Sequence, residues 1–167
     1  MLWQRTLAVA LAPYSVWLIF AYVYHFLDGV NLAFHEAGHL FLAFGGETLH
    51  FLGGTLGQLL VPAALALHFR SRSDAFAAAV CGLWLGESLM NVAVYLGDAR
   101  AQTLPLVGGH VHDWLWLLSK VGLLVHCEGL GRLLHLAASA MVALAWLRAA
   151  RAAFAPAEAG ALAQPMI

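Results

Sequence analysis

One stretch of the 167-residue chain, Phe34-His35-Glu36-Ala37-Gly38-His39, puts three ionisable side chains into an otherwise apolar run. Residues four apart share a face of a helix, so the imidazoles of His35 and His39 can hold one metal ion between them. Glu36 is rotated about 100° around that helix, where its carboxylate can reach a metal-bound water without competing as a ligand. Zinc suits such donors, and it lowers the pKa of a bound water to about 7, making hydroxide available at neutral pH. The expected assignment is Zn2+ as cofactor, His35 and His39 as metal ligands, and Glu36 as the catalytic base. Ionisable groups inside an apolar helix are expensive and mark function by default. The bland alternative is a pair of histidines hydrogen-bonded between helices.

A catalytic zinc keeps three protein ligands and one open position, so another segment must supply a donor. Asp113 stands just before Trp114-Leu115-Trp116-Leu117-Leu118, at the start of an apolar helix that could dock beside the His-Glu-x-x-His helix. Its ordinary role there would be a helix N-cap. Asp98 is the rival third ligand, with an ion pair to Arg100 or plain loop solvation as its ordinary role. His110 and His112 are further donors, to the metal or behind it. Glu87 is expected to be neutral or paired with a histidine, because a lone buried charge is costly. Gln58 and Asn91 either bond across helices or donate to a substrate carbonyl. His25, His50, His68, His126 and His135 fall near expected helix ends and receive no chemical role. Cys81 and Cys127 form no CxxC site or disulfide framework and read as buried or lipid-facing thiols.

The elements that must hold these groups are unusual in composition. Hydrophobic residues make up 62% of the chain and charged residues 10%, against about 25% charged in soluble domains. A water-soluble protein of this size has too much surface to hide that excess, so the chain is expected to be integral to a lipid bilayer. The net charge of -1 excludes a polybasic nucleic-acid binder. Apolar segments run over 6–27, 29–45, 51–69, 75–97, 114–126 and 133–147, and in hydrocarbon they must be helices to satisfy their backbones. The first, third and fourth are long enough to span alone; the second, fifth and sixth are short or polar. The expected fold is all-α, a polytopic transmembrane bundle of five or six helices in one domain over 1–148, followed by a short tail over 149–167. Lys and Arg do not settle the orientation: with Arg5, Arg148 and Arg151 inside, Arg70 and Arg72 fall outside for six crossings.

Phe34-His35-Glu36-Ala37-Gly38-His39 within such a segment resembles the site-2 protease group of intramembrane zinc metalloproteases, the M50-like peptidases. Gly53-Gly54-Thr55-Leu56-Gly57-Gln58-Leu59-Leu60-Val61-Pro62 is similar to that group's third-helix pattern of small residues followed by an amide. Leu104 to Trp114, ending His112-Asp113-Trp114, is placed like the group's Leu-Asp-Gly segment, whose aspartate supplies the third ligand, although Leu-Asp-Gly itself is missing. Asp98 follows Asn91 at close to the group's asparagine-to-aspartate spacing. A small set of bacterial M50-like membrane proteins with a later His-Asp-Trp is also similar. The resemblance implies a zinc-dependent intramembrane peptidase in a bacterial inner membrane, acting on membrane-embedded peptides. Two other classes stay open: a non-enzymatic scaffold or small transporter with a structural metal site, and a redox membrane protein, for which the histidine set is thin.

Overall fold

The computed structural model describes residues 2–107 and 111–156. Six α-helices lie among them, with no strand: α1 (Leu2–Ala21), α2 (Phe26–Leu42), α3 (Glu47–Ser71), α4 (Ala75–Asp98), α5 (Asp113–Lys120) and α6 (Cys127–Phe154). Single 3₁₀ turns precede α3 and α6. Three stretches are long and apolar enough to cross a membrane: α3, α4, and 124–154, which contains α6. The first helix and the stretch Phe26–Gly45 qualify only together, bent by 71° at the break between them.

That bend departs from the single helix expected over 6–27. Asp28, read from sequence as a chain break, instead stabilises the start of α2. Its carboxylate accepts a hydrogen bond from the backbone N–H of His25 at 2.8 Å, satisfying a donor that a helix start leaves open. The Tyr22 hydroxyl donates to the same carboxylate. Glu128-Gly129, also expected as a break, lies inside α6. Glu128 is exposed there and pairs with Arg100 at 3.1 Å, so its charge stays in solvent while the helix continues. At the other end α6 runs past the expected boundary at 149: Ala149 and Ala153 are buried against Ala8 and Phe76.

Two close helix pairs organise the bundle. Between α2 and α3 the backbones approach so nearly that a Cβ on Gly38 would collide with the Gly53 carbonyl oxygen, and one on Gly57 with the Phe34 carbonyl oxygen. Small residues at such a seam let the two backbones touch. Between α4 and α6 a Cβ on Gly86 would lie 2.7 Å from Val142 Cγ2, and one on Gly131 would lie 2.7 Å from the Ala93 carbonyl oxygen. The main core forms where α1 meets this pair, around Leu18, Leu83, Met90, Ala138 and Val142. Phe20, Phe26, Phe41 and Phe44 face outward, while Asp28, Asn31, His35, Gln58, Glu87 and Asp113 are buried. Polar groups inside and aromatic groups outside is the reverse of a soluble core.

Candidate metal centre

His35 and His39 stand one turn apart on α2, with ring centroids 4.7 Å apart. Their Nε2 atoms point at a common oxygen, Asp113 Oδ2, at 3.0 Å from His35 and 3.2 Å from His39. One donor atom from each of the three residues lies within 4.8 Å of the others. Of the two aspartates weighed from sequence, Asp113 is the one that reaches the histidines. It occupies the first position of α5, and the N-cap role goes to His112, whose Nδ1 accepts from the Leu115 N–H at 3.4 Å. The Asp113 carboxylate is thereby left free to face α2.

Asp98 is used elsewhere. Its carboxylate accepts from the Thr103 N–H at 2.9 Å, the Thr103 hydroxyl at 2.5 Å and the Leu104 N–H at 3.0 Å, tying the loop after α4 to the helix end. Arg100, its expected partner, pairs with Glu128 instead. His112 stacks on Tyr95 at 4.0 Å and turns its Nε2 toward Asp98, 3.8 Å away. Burial pushes the His112 imidazole below its ordinary range. His110 lies outside the described residues.

The far side of each metal-facing ring is also fixed. His35 Nδ1 is 2.9 Å from Gln58 Oε1, and His39 Nδ1 is 2.7 Å from the His50 carbonyl oxygen. The Gln58 amide can be oriented only one way, because its NH2 donates to the Ser88 carbonyl and to Asn91 Oδ1, both at 3.2 Å. Oxygens at Nδ1 can only accept, so Nδ1 carries the proton in each ring and Nε2 presents its lone pair. Two lone pairs and a carboxylate oxygen therefore converge, an arrangement that needs positive charge at its centre. A proton on either ring would supply it, and so would a cation. In the cation-free form, burial pushes the Asp113 carboxyl up, but hydrogen bonding to His35 and His39, which requires a second proton on the donating ring, outweighs this and holds it below the usual carboxylate range.

The donors fit zinc. Bonds of about 2.0–2.1 Å in a tetrahedron separate ligand atoms by about 3.3 Å, close to the 3.0 and 3.2 Å seen here. Two imidazoles, one carboxylate and acceptors behind both rings form the usual surroundings of a catalytic zinc. Space for the His35 ring comes from Gly54, where a Cβ would collide with Nε2 itself. Glu36 is half-buried and takes no part in the hydrogen bonds that fix the two imidazoles.

The chain matches no family model, no curated protein and no solved structure.

Some participants escaped the sequence reading. Tyr95, whose hydroxyl accepts from the Asp113 N–H at 3.2 Å, carries no local signal. His50 acts through its backbone carbonyl, to which residue type is irrelevant. Gln58 and Asn91 bond across helices, one of the two roles considered. Asn91 also donates to Asp28 Oδ1 at 2.9 Å, so a line of hydrogen bonds leads from His35 through Gln58 and Asn91 to the start of α2.

Proposed function

We propose that this protein is a zinc-dependent intramembrane peptidase of the site-2 protease kind, resident in a bacterial inner membrane. It hydrolyses peptide bonds of membrane-embedded substrates. The observation that carries the reading is the convergence of His35 Nε2, His39 Nε2 and Asp113 Oδ2, with both Nδ1 atoms held by acceptors, beside Glu36. The four-crossing arrangement we assign counts the bent pair of α1 and α2 as one crossing.

In this reading His35, His39 and Asp113 hold the ion. Bound zinc supplies Lewis acidity, polarising a carbonyl and acidifying a water. Glu36 takes the proton of the attacking water and returns it to the departing amine, the general-base and general-acid roles of one carboxylate. Gln58 and the His50 carbonyl keep each imidazole in the tautomer that leaves Nε2 bare. Tyr95 and the N-cap at His112 hold the start of α5, so that Asp113 approaches α2 at a fixed angle. The substrate must be locally unwound, since an intact helix spends its carbonyls on its own hydrogen bonds.

The test pairs metal analysis with cleavage. The wild type, Glu36→Gln and His35→Ala/His39→Ala proteins are purified in detergent and assayed for bound zinc, then reconstituted with a single-span reporter peptide. Glu36→Gln is expected to keep its zinc and lose cleavage by at least 100-fold. The double-histidine variant is expected to lose one equivalent of zinc along with all cleavage. Wild-type cleavage by Glu36→Gln, or a folded wild type whose zinc content ignores the two histidines, would refute the proposal and favour a non-enzymatic scaffold.

A further inference from the structure

A second group of ligand-type side chains, two of them buried, sits at the bend between α1 and α2. His25, Asp28 and Glu87 each offer one donor atom within 4.8 Å of the others. Asp28 is 1% and Glu87 0% exposed. Neither carboxylate makes an ion pair with a lysine or arginine among the described residues; the cationic partner available to both is His25. Its Nδ1 lies 2.6 Å from Asp28 Oδ2, and its Nε2 lies 2.8 Å from the Tyr14 hydroxyl and 3.9 Å from Glu87 Oε1.

The two carboxylates are not equally satisfied. Asp28 accepts from the His25 N–H, the Tyr22 hydroxyl and the Asn91 amide. Glu87 Oε2 accepts from Asn31 at 2.9 Å, and Asn31 is held in turn by the Trp84 indole N–H at 2.8 Å. Glu87 Oε1 is fully buried with no hydrogen-bond partner, and it points toward His25 Nε2. An unpaired carboxylate oxygen in an apolar bundle is strongly disfavoured. An imidazolium at His25 would neutralise one of the two carboxylates, not both. A proton shared between Glu87 and Asp28 would neutralise the other.

A divalent cation does the work of both protons at once. It balances two negative charges and gives Oε1 a ligand bond. We propose that His25, Asp28 and Glu87 form a second metal site, distinct from the His35–His39–Asp113 centre, which binds a divalent cation of the manganese or zinc type. Two carboxylate oxygens with one imidazole nitrogen suit such borderline ions better than the soft ions that thiolates select. An imidazole gives an ion one nitrogen, and Nε2, which faces Glu87 Oε1, would exchange its Tyr14 contact for the ion. The ion would also pin α2 to α4 where the chain is bent.

The experiment counts metal. Full-length protein in detergent is stripped with a chelator, reloaded by dialysis against Zn2+ or, separately, Mn2+, and the bound metal is measured per chain. Wild type is expected to hold two equivalents. His35→Ala/His39→Ala is expected to hold one, with every second-site residue untouched, so a misfolded second-site variant cannot mimic the result. Glu87→Gln, which keeps the shape of the side chain, is expected to hold one, and combining it with the double-histidine change should leave none. A wild type holding a single equivalent that the histidine changes remove would overturn the second site, as would a Glu87→Gln protein loaded like wild type. The two sites fail separately: loss of metal in Glu87→Gln alone, with the histidine variants loaded as wild type, would uphold this proposal and refute the zinc peptidase.

Discussion

At the scale of single residues, the proposed centre rests on groups outside its ligand set. Gln58 aligns His35 because its own NH2 is committed to Ser88 and Asn91. Gln58→Leu would leave His35 Nδ1–H buried without an acceptor and release the ring to rotate. Loss of such a supporting hydrogen bond weakens metal binding by about 10–100-fold. That loss is the expected rise in zinc Kd for Gln58→Leu, measured by competition with a chelating dye. An unchanged Kd would mean that packing by Gly54 and Tyr95 orients the ring without the amide.

At the scale of helices, glycine placement decides how α2 meets α3. A methyl group at Gly38 has nowhere to go, because it meets the carbonyl oxygen and carbon of Gly53, and backbone cannot rotate aside. Gly38→Ala is therefore expected to push the two helices apart, carrying His35 and His39 away from Gln58 and His50. Overpacking of this kind costs about 1–3 kcal/mol, and the variant should melt earlier in detergent and hold less zinc. Gly129, with nothing within 4 Å of its notional Cβ, is the control. Gly129→Ala should leave zinc unchanged and raise stability by up to about 1 kcal/mol, since alanine is the better helix former. Equal melting of the two variants would show that the seam is less tight than the glycine geometry requires.

At the scale of the molecule, the charges separate into two ends. The Arg5 guanidinium donates to the Ala153 carbonyl, while Arg70, Arg148 and Arg151 line one cavity and Arg72 follows in the adjoining turn. Those five arginines lie at the end where α1 begins and α3 and α6 finish. Lys120 donates to Thr48 at the opposite end, where Arg100 and Arg132 share Glu128. The difficulty met in sequence, with Arg70 and Arg72 falling on the wrong side, disappears in the four-crossing reading proposed above, which counts the bent pair of α1 and α2 once. With the bent pair as one, all five arginines share a side, which the positive-inside rule makes cytoplasmic. In that reading the proposed metal centre lies toward the outer face. In a background lacking Cys81 and Cys127, a cysteine at Val121 should react with a membrane-impermeant maleimide in intact cells. One at Ser71 should react only after permeabilisation, and the reverse pattern would invert the topology.

The sequence by itself determined what is local. The spacing of His35, Glu36 and His39 fixed their common helical setting, and the apolar content fixed an all-helical chain with stretches able to cross a membrane. Helix starts that rest on a specific hydrogen bond were less legible: Asp28 reads as a chain break until its carboxylate is seen to accept from His25. Only the tertiary structure shows that Asp113 and not Asp98 reaches the two histidines, because both are acidic groups next to a helix end, and the difference lies in which loop closes on Thr103 and which helix docks against α2. The same holds for His25, Asp28 and Glu87, separated by up to 62 residues and brought together by the bend and by α4. Periodicity and residue type record the interactions of near neighbours along the chain. Contacts between distant segments depend on how closely the glycine seams allow helices to approach, and that is set by the packing of the whole bundle.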